Sequence, residues 1–124
     1  PDPRPPEVIA QAELAGLESS GLWEEGRRKE FYAALTGILR RYLERRHSFP
    51  ATRETSTEIQ RRLRRLDFDR ELLGVCKGLF DRADLVKFSK VEAEPPWGPA
   101  DLSAARRLAR ETSPRELAVP GDRP

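Results

Sequence analysis

Residues 29–46, KEFYAALTGILRRYLERR, decide the fold. Phe31, Leu35, Ile38 and Tyr42 recur at steps of four, three and four, and Leu39 and Leu43 broaden the same stripe. A repeat of about 3.6 residues is that of an amphipathic helix. Lys29, Arg40, Arg41, Glu44, Arg45 and Arg46 fill the opposite side. Glu30 stands early and Arg45 and Arg46 stand late, so both charge signs complement the helix dipole. Gly37 costs the helix interior about 1 kcal/mol relative to alanine, which marks a close crossing of helices. The apolar stripe is too broad for solvent, so other segments must cover it. That requirement points to a small helical domain.

Those segments are found on both sides. Residues 1–6, PDPRPP, read as a proline-rich linker, with Pro6 suited to a first helical position. The next helix is expected to bury Val8, Ile9, Ala12, Leu14, Ala15 and Leu17 and to end at Ser19-Ser20-Gly21. Leu22 and Trp23 then plug the gap before the long helix, which is expected from Glu24 or Glu25 to Arg46. Pro50 disfavours helical geometry at Phe49, which folds back onto the core.

Thr55 and Glu58 form a capping box: the hydroxyl takes an N–H of the first turn and the carboxylate reaches back. A third helix follows, with Ile59, Leu63 and Leu66 inward. Asp67 or Asp69 caps a fourth, with Leu72, Leu73, Cys76, Leu79, Phe80 and Ala83 inward. Residues 84–88 either leave the helical pattern or continue it for one turn; Leu85, Val86 and Phe88 are expected to close the core, and the Asp84, Lys87 and Phe88 turn to be structural. In the proline-rich loop at 92–99, Trp97 is expected either to clamp the loop on the body or to be an exposed contact residue. The last helix is expected to start at Asp101 or Ser103, to bury Leu102, Ala105, Leu108 and Ala109, and to stop at 112–114. The fold class is therefore all-α, a compact bundle of about five helices. The helical domain spans 7–113, and 114–124 is expected to be a disordered tail.

The totals agree. A chain of 124 residues suits one domain, and 37% apolar against 35% charged residues allows one modest core. The chain begins at Pro1 and has no methionine, which reads as a fragment or a processed chain. No run approaches the roughly 18 apolar residues that a membrane span needs. The net charge is +2 but unevenly spread: −4 over residues 1–24, +7 over 25–66 and −1 over 67–124. Arg40, Arg41, Arg61, Arg62, Arg64 and Arg65 form the candidate partner surface, for an acidic protein, an anionic membrane or nucleic acid. The plainer alternative is a solvated face, because arginine is a good helix former.

Common catalytic patterns are missing. One cysteine and one histidine exclude an internal disulfide and the usual metal sites. Cys76 falls in an apolar stripe and reads as a small buried hydrophobe. No phosphate-cradling glycine loop and no GxSxG occurs. The chain is therefore expected not to be an enzyme, with no catalytic, metal or cofactor residues assigned. The segment 47–54 is too long for the turn of a helix-turn-helix, and arginines on the third helix suit phosphates better than bases. A nucleic-acid-binding helical domain is the alternative function.

Several segments together resemble one family. FYAALTGILRRYLERRHSFPA, TSTEI and RADLVKFSK, in that order and followed by a short helix ending in ET, resemble the C-terminal domain of BatD-type bacterial membrane proteins of the Bat (aerotolerance-associated) group. The matching motifs are the Phe31-Tyr32 pair, the Leu39–Leu43 core, the Thr55–Glu58 cap and Ala83–Phe88. Ser89 departs from the usual alanine. The resemblance implies a membrane-anchored protein with this domain on the cytoplasmic side of the inner membrane. It further implies a scaffold or adaptor role beside MoxR-type AAA+ ATPases and von Willebrand factor A domain proteins, with no catalytic residues to carry over.

Overall fold

The computed structural model describes residues 2–90 and 92–112. Among these residues there are five α-helices: α1 (Pro6–Ser19), α2 (Arg28–His47), α3 (Ser56–Arg65), α4 (Arg70–Phe88) and α5 (Trp97–Glu111). A single 3-10 turn, Ala51–Arg53, lies between α2 and α3. No strand occurs among the described residues. The expected all-α bundle is thus the observed one. The tail predicted at 114–124 lies outside the described residues.

The long helix is the hub. α2 touches α1, α4, α5 and the 3-10 turn, and α3 packs on α4. Phe31, Tyr32, Leu35, Ile38, Leu39, Tyr42 and Leu43 are buried along it. α2 starts at Arg28, later than the sequence suggests, because Gly26 adopts φ +78°. That left-handed geometry suits glycine and cannot continue a helix. At the far end Ser48, at φ 58°, caps the helix through its N–H to the Glu44 carbonyl.

Pro6 occupies the first turn of α1 as expected. Its buried face, however, is Ile9, Ala10, Leu14 and Leu17, whereas Val8, Ala12 and Ala15 face solvent. The alanines carry too little apolar area to orient the helix against two leucines. The capping box forms with both bonds present, Glu58 N–H to Thr55 Oγ1 at 3.1 Å and Thr55 N–H to Glu58 Oε1 at 2.9 Å. Leu66 falls at the C-cap of α3 and is 47% exposed, so the inward row there is Ile59 and Leu63. Asp69 caps α4 by accepting from the N–H groups of Glu71 and Leu72, both at 3.1 Å. Phe49 is buried beneath the connection, with the Arg62 guanidinium over its ring.

Two regions correct the expectation. α4 runs unbroken through Phe88, so Asp84, Lys87 and Phe88 lie in its last turn, the second of the two expected courses for 84–88. Val86 closes the core, but Leu85 is exposed and Phe88 is 77% exposed. Continuing the helix rotates position 88 away from the side that position 86 buries. α5 starts at Trp97, before the expected Asp101 or Ser103. Asp101 is no cap: it is buried inside the bundle, 1% exposed.

Asp101 holds three helices together. The Tyr32 hydroxyl of α2 donates to Oδ2 of Asp101. Arg82 of α4 donates from Nε at 3.0 and 2.9 Å and from Nη2 at 2.5 Å. A carboxylate buried in a helix core is tolerable only when paired and hydrogen-bonded in this way. Burial, followed by the bond to Asp101, pushes the Tyr32 phenol well above its usual range. The Asp101 carboxylate likewise raises Arg82. A second aromatic joint lies at the other end of α2, where the buried Tyr42 hydroxyl meets the Ala109 carbonyl at 3.2 Å and the Thr112 hydroxyl at 2.7 Å.

Trp23 fills the gap between α1 and α2 and reaches further than that. Its ring stands edge-on to Phe31 and Tyr32, with centroids 5.0 and 5.9 Å apart, and its Nε1 donates to the Pro95 carbonyl at 3.1 Å. Gly98 lies against the indole so closely that a Cβ there would come within 2.3 Å of it. Trp97 is half-buried against the core, so the clamp on the 92–99 loop is chiefly Trp23.

Candidate functional site

The six arginines of the predicted surface do not form one patch. Arg41 pairs with Glu13 of α1 at 3.4 Å. Arg62 pairs with Glu54 and lies over the Phe49 ring. Arg40 is half-buried, with its guanidinium 5.0 Å from the centroid of Phe80, and forms no ion pair among the described residues. Arg61, Arg64 and Arg65 are exposed on α3 and have no carboxylate partner among the described residues. The basic surface is therefore the outer face of α3, and Arg41 belongs to the α1–α2 joint.

Arg61, Arg64 and Arg40 border one groove, between α3 and α4. It comprises a cavity of about 310 Å³ bounded by Arg40, Phe80, Lys87 and Phe88, and one of about 220 Å³ bounded by Gln60, Arg61, Arg64 and Lys77. Ser56, Thr57, Phe80 and Asp84 border both, which makes them continuous. Sequence reading assigned Phe88 to the core and did not single out Gln60. Gln60 is 7% exposed, and its amide oxygen has no hydrogen-bond partner among the described residues. Its place on the polar side of a basic helix gives no signal of burial in the sequence.

A larger depression of about 770 Å³ lies between the α1–α2 turn and the end of α4. Arg27, Arg28 and Glu30 on its rim are engaged, whereas Lys29, Lys90 and Glu92 form no ion pair among the described residues. Arg27 pairs with Glu25 and Glu30, and Arg28 donates to the Ala93 carbonyl at 2.9 Å while lying 4.1 Å from the Trp23 ring.

Chemistry at the remaining titratable groups is conservative. Burial pushes the Cys76 thiol up to about 12, against the weaker opposing pull of the Gln60 amide, which can donate to the sulfur, and of the Arg40 charge. The thiol is thus protonated at neutral pH and a poor nucleophile. Burial, aided by Arg46, lowers the pKa of His47, whose ring stands 5.7 Å from that of Phe68. Among the described residues no three His, Cys, Asp or Glu side chains are grouped to hold a metal ion. No helix among them is long and apolar enough to cross a membrane.

No family model, curated protein or solved structure matches this chain.

Proposed function

We propose that this chain is a non-catalytic protein-interaction domain, acting as an adaptor or scaffold. In this reading it is the cytoplasmic domain of a membrane-anchored protein of the Bat type. Its partners are a MoxR-type ATPase or a von Willebrand factor A protein. The resemblance in the ordered motifs between Phe31 and Ser89 suggests the setting. The observation that carries the interaction role is the α3 face, where Arg61, Arg64 and Arg65 stand exposed with no carboxylate partner among the described residues. Elsewhere, arginines such as Arg27, Arg41, Arg62, Arg82 and Arg107 are spent on ion pairs within the domain. Cations left unneutralised on one face attract an acidic partner and set its orientation.

The test is a binding titration of the purified domain against both candidate partners, repeated with Arg61→Glu/Arg65→Glu. A loss of about tenfold or more with unchanged helicity is expected for a rim charge pair reversed in sign. Unchanged affinity removes the α3 face from the reading. Duplex DNA is titrated in parallel. Affinity that falls steeply with salt and disappears in the same variant assigns the face to nucleic acid instead.

A further inference from the structure

The groove beside the α3 face has a composition of its own. At one end Phe88 is 77% exposed and borders a cavity floored by Phe80. An aromatic ring left in water at the mouth of a cavity is a typical anchor point in protein recognition. Against Phe80 lies Arg40, a half-buried cation without a carboxylate partner among the described residues. Asp84 is near enough to favour its charge but does not form an ion pair with it. Lys77 and Asp81 neutralise one another at 2.7 Å. The unneutralised charges around the groove are therefore Arg40, Arg61, Arg64 and Lys87, against Asp84 alone.

The N-terminus of α3 opens into the same space. The capping box satisfies Thr55 and Glu58, which leaves the N–H groups of Ser56 and Thr57 without intrahelical partners. Their hydroxyls form no hydrogen bond among the described residues. Helix N–H groups, two hydroxyls and a guanidinium on one wall suit a carboxylate. Gln60 borders the second cavity and is more than nine-tenths buried; its amide oxygen has no hydrogen-bond partner among the described residues, and its nitrogen has only the Cys76 sulfur to turn to. An unsatisfied buried amide is a standing cost to the fold. A side-chain rotation that hands it to a guest with one N–H and one C=O recovers that cost. A peptide bond carries that pair of groups.

We infer that the α3–α4 groove seats an acidic segment of a partner protein. One of its carboxylates lies at the α3 N-terminus beside Arg40, a neighbouring apolar side chain lies between Phe80 and Phe88, and its backbone amide meets Gln60. The inference rests on the interaction-domain reading and adds to it the partner's chemistry and the place where it is held. The cavity near Phe88, about 310 Å³, takes one anchor side chain with its flanking backbone and is at the small end for a drug-sized ligand.

The probe is a fluorescein-labelled hexapeptide, capped at both ends, of alternating glutamate and aspartate with one central phenylalanine. A twin carries glutamine and asparagine in place of the acids. Anisotropy titration against the whole chain is expected to give micromolar affinity for the acidic peptide and about tenfold weaker affinity for the neutral one. Arg40→Gln and Phe88→Ala are each expected to weaken the acidic peptide by about tenfold, while Arg65→Glu, which borders neither cavity, changes it by less than about threefold. Circular dichroism checks that both variants fold. Phe88→Ala keeps the test open if Arg40→Gln does not. The Gln60 side-chain NH₂ resonances are expected to shift on binding.

Four outcomes overturn the inference: no binding below millimolar, equal binding of the neutral twin, unchanged affinity in both groove variants, or displacement by inorganic phosphate as effective as by unlabelled peptide. A protein partner that is lost with Arg61→Glu/Arg65→Glu but retained with Arg40→Gln and Phe88→Ala refutes the groove and leaves the interaction-domain reading standing. Peptide binding in the groove without any binding of the two candidate partners supports the groove and refutes their assignment.

Discussion

Removing Arg82 is the sharpest test of what holds the bundle together. Arg82→Ala leaves the Asp101 carboxylate, 1% exposed, with only the Tyr32 hydroxyl for company. Breaking a buried ion pair from one side costs about 3–5 kcal/mol, because a charge stays buried and unpaired. The Arg82 side chain is 35% exposed, so water reaches part of the vacated space and the low end, about 3 kcal/mol, applies. Against a total of about 5–15 kcal/mol for a domain, that is a large fraction. The melting temperature falls by roughly 10 °C. Urea unfolding followed by tryptophan fluorescence and by far-ultraviolet circular dichroism measures it, since Trp23 stands edge-on to Tyr32.

A companion variant separates charge from shape. Tyr32→Phe/Arg82→Met/Asp101→Leu replaces the whole network by apolar groups of similar size and is expected to lie within about 1.5 kcal/mol of the parent. The triple change is then milder than the single one. A loss below about 1 kcal/mol for Arg82→Ala, with an unchanged denaturant slope, refutes the reasoning. So does a triple variant less stable than Arg82→Ala.

Three further outcomes follow from other positions. Gly98→Ala sets a Cβ within 2.3 Å of the Trp23 indole, so it is expected to cost about 1–3 kcal/mol by overpacking and to shift the fluorescence maximum; a neutral result means that the indole moves freely. Phe88→Ala is expected to change stability by less than about 0.5 kcal/mol, as for an exposed side chain, and a loss above 2 kcal/mol restores it to the core. Burial lowers the His47 pKa in the folded state, so the unfolded chain takes up that proton first. Stability is then full above about pH 6.5 and declines as pH falls below it, toward the lower folded-state value. His47→Gln is expected to flatten that part of the pH–stability curve, and an equal slope in both proteins removes His47 as its source.

Much of this fold was legible because its signals are local. The Phe31–Leu43 stripe, the Thr55–Glu58 box, Pro6 and the Asp69 cap each depend on spacings within a few residues, and each formed as the spacing requires. What was not legible depends on partners distant in sequence. Nothing beside Asp101 announces that Tyr32 and Arg82 will meet it, so an aspartate near a helix start reads as a cap. Phe88 looks apolar and inward only if the helix ends before it; once α4 continues, its own pitch of about 100° per residue turns position 88 away from the buried row that ends at Val86. Likewise six arginines counted on two helices became an α3 face, a groove cation and two intramolecular pairs. Side-chain counts carry no information on which guanidinium finds a carboxylate.

The way α5 is attached governs how the chain reaches its final shape. Arg82 of α4 meets Asp101 across only 19 residues, whereas the polar contacts of α5 with α2, Asp101 to Tyr32 and Ala109 to Tyr42, join residues 69 and 67 apart in sequence. Closing a loop of that length costs roughly 4 kcal/mol of chain entropy beyond the constant part, whereas α1 meets α2 across a short turn. The short-range pairs α1–α2, α3–α4 and α4–α5 are therefore expected to form first, and α5 is expected to close onto α2 last. Until it does, Tyr32 and Tyr42 lack their acceptors and the aromatic side of α2 lies open. Synthesis imposes the same sequence of events: the ribosome must release residues 97–112 before the bundle can shut. Truncation just before Trp97 is thus a direct route to a collapsed, unfinished intermediate, and adding residues 97–112 back as a separate peptide measures the docking step alone.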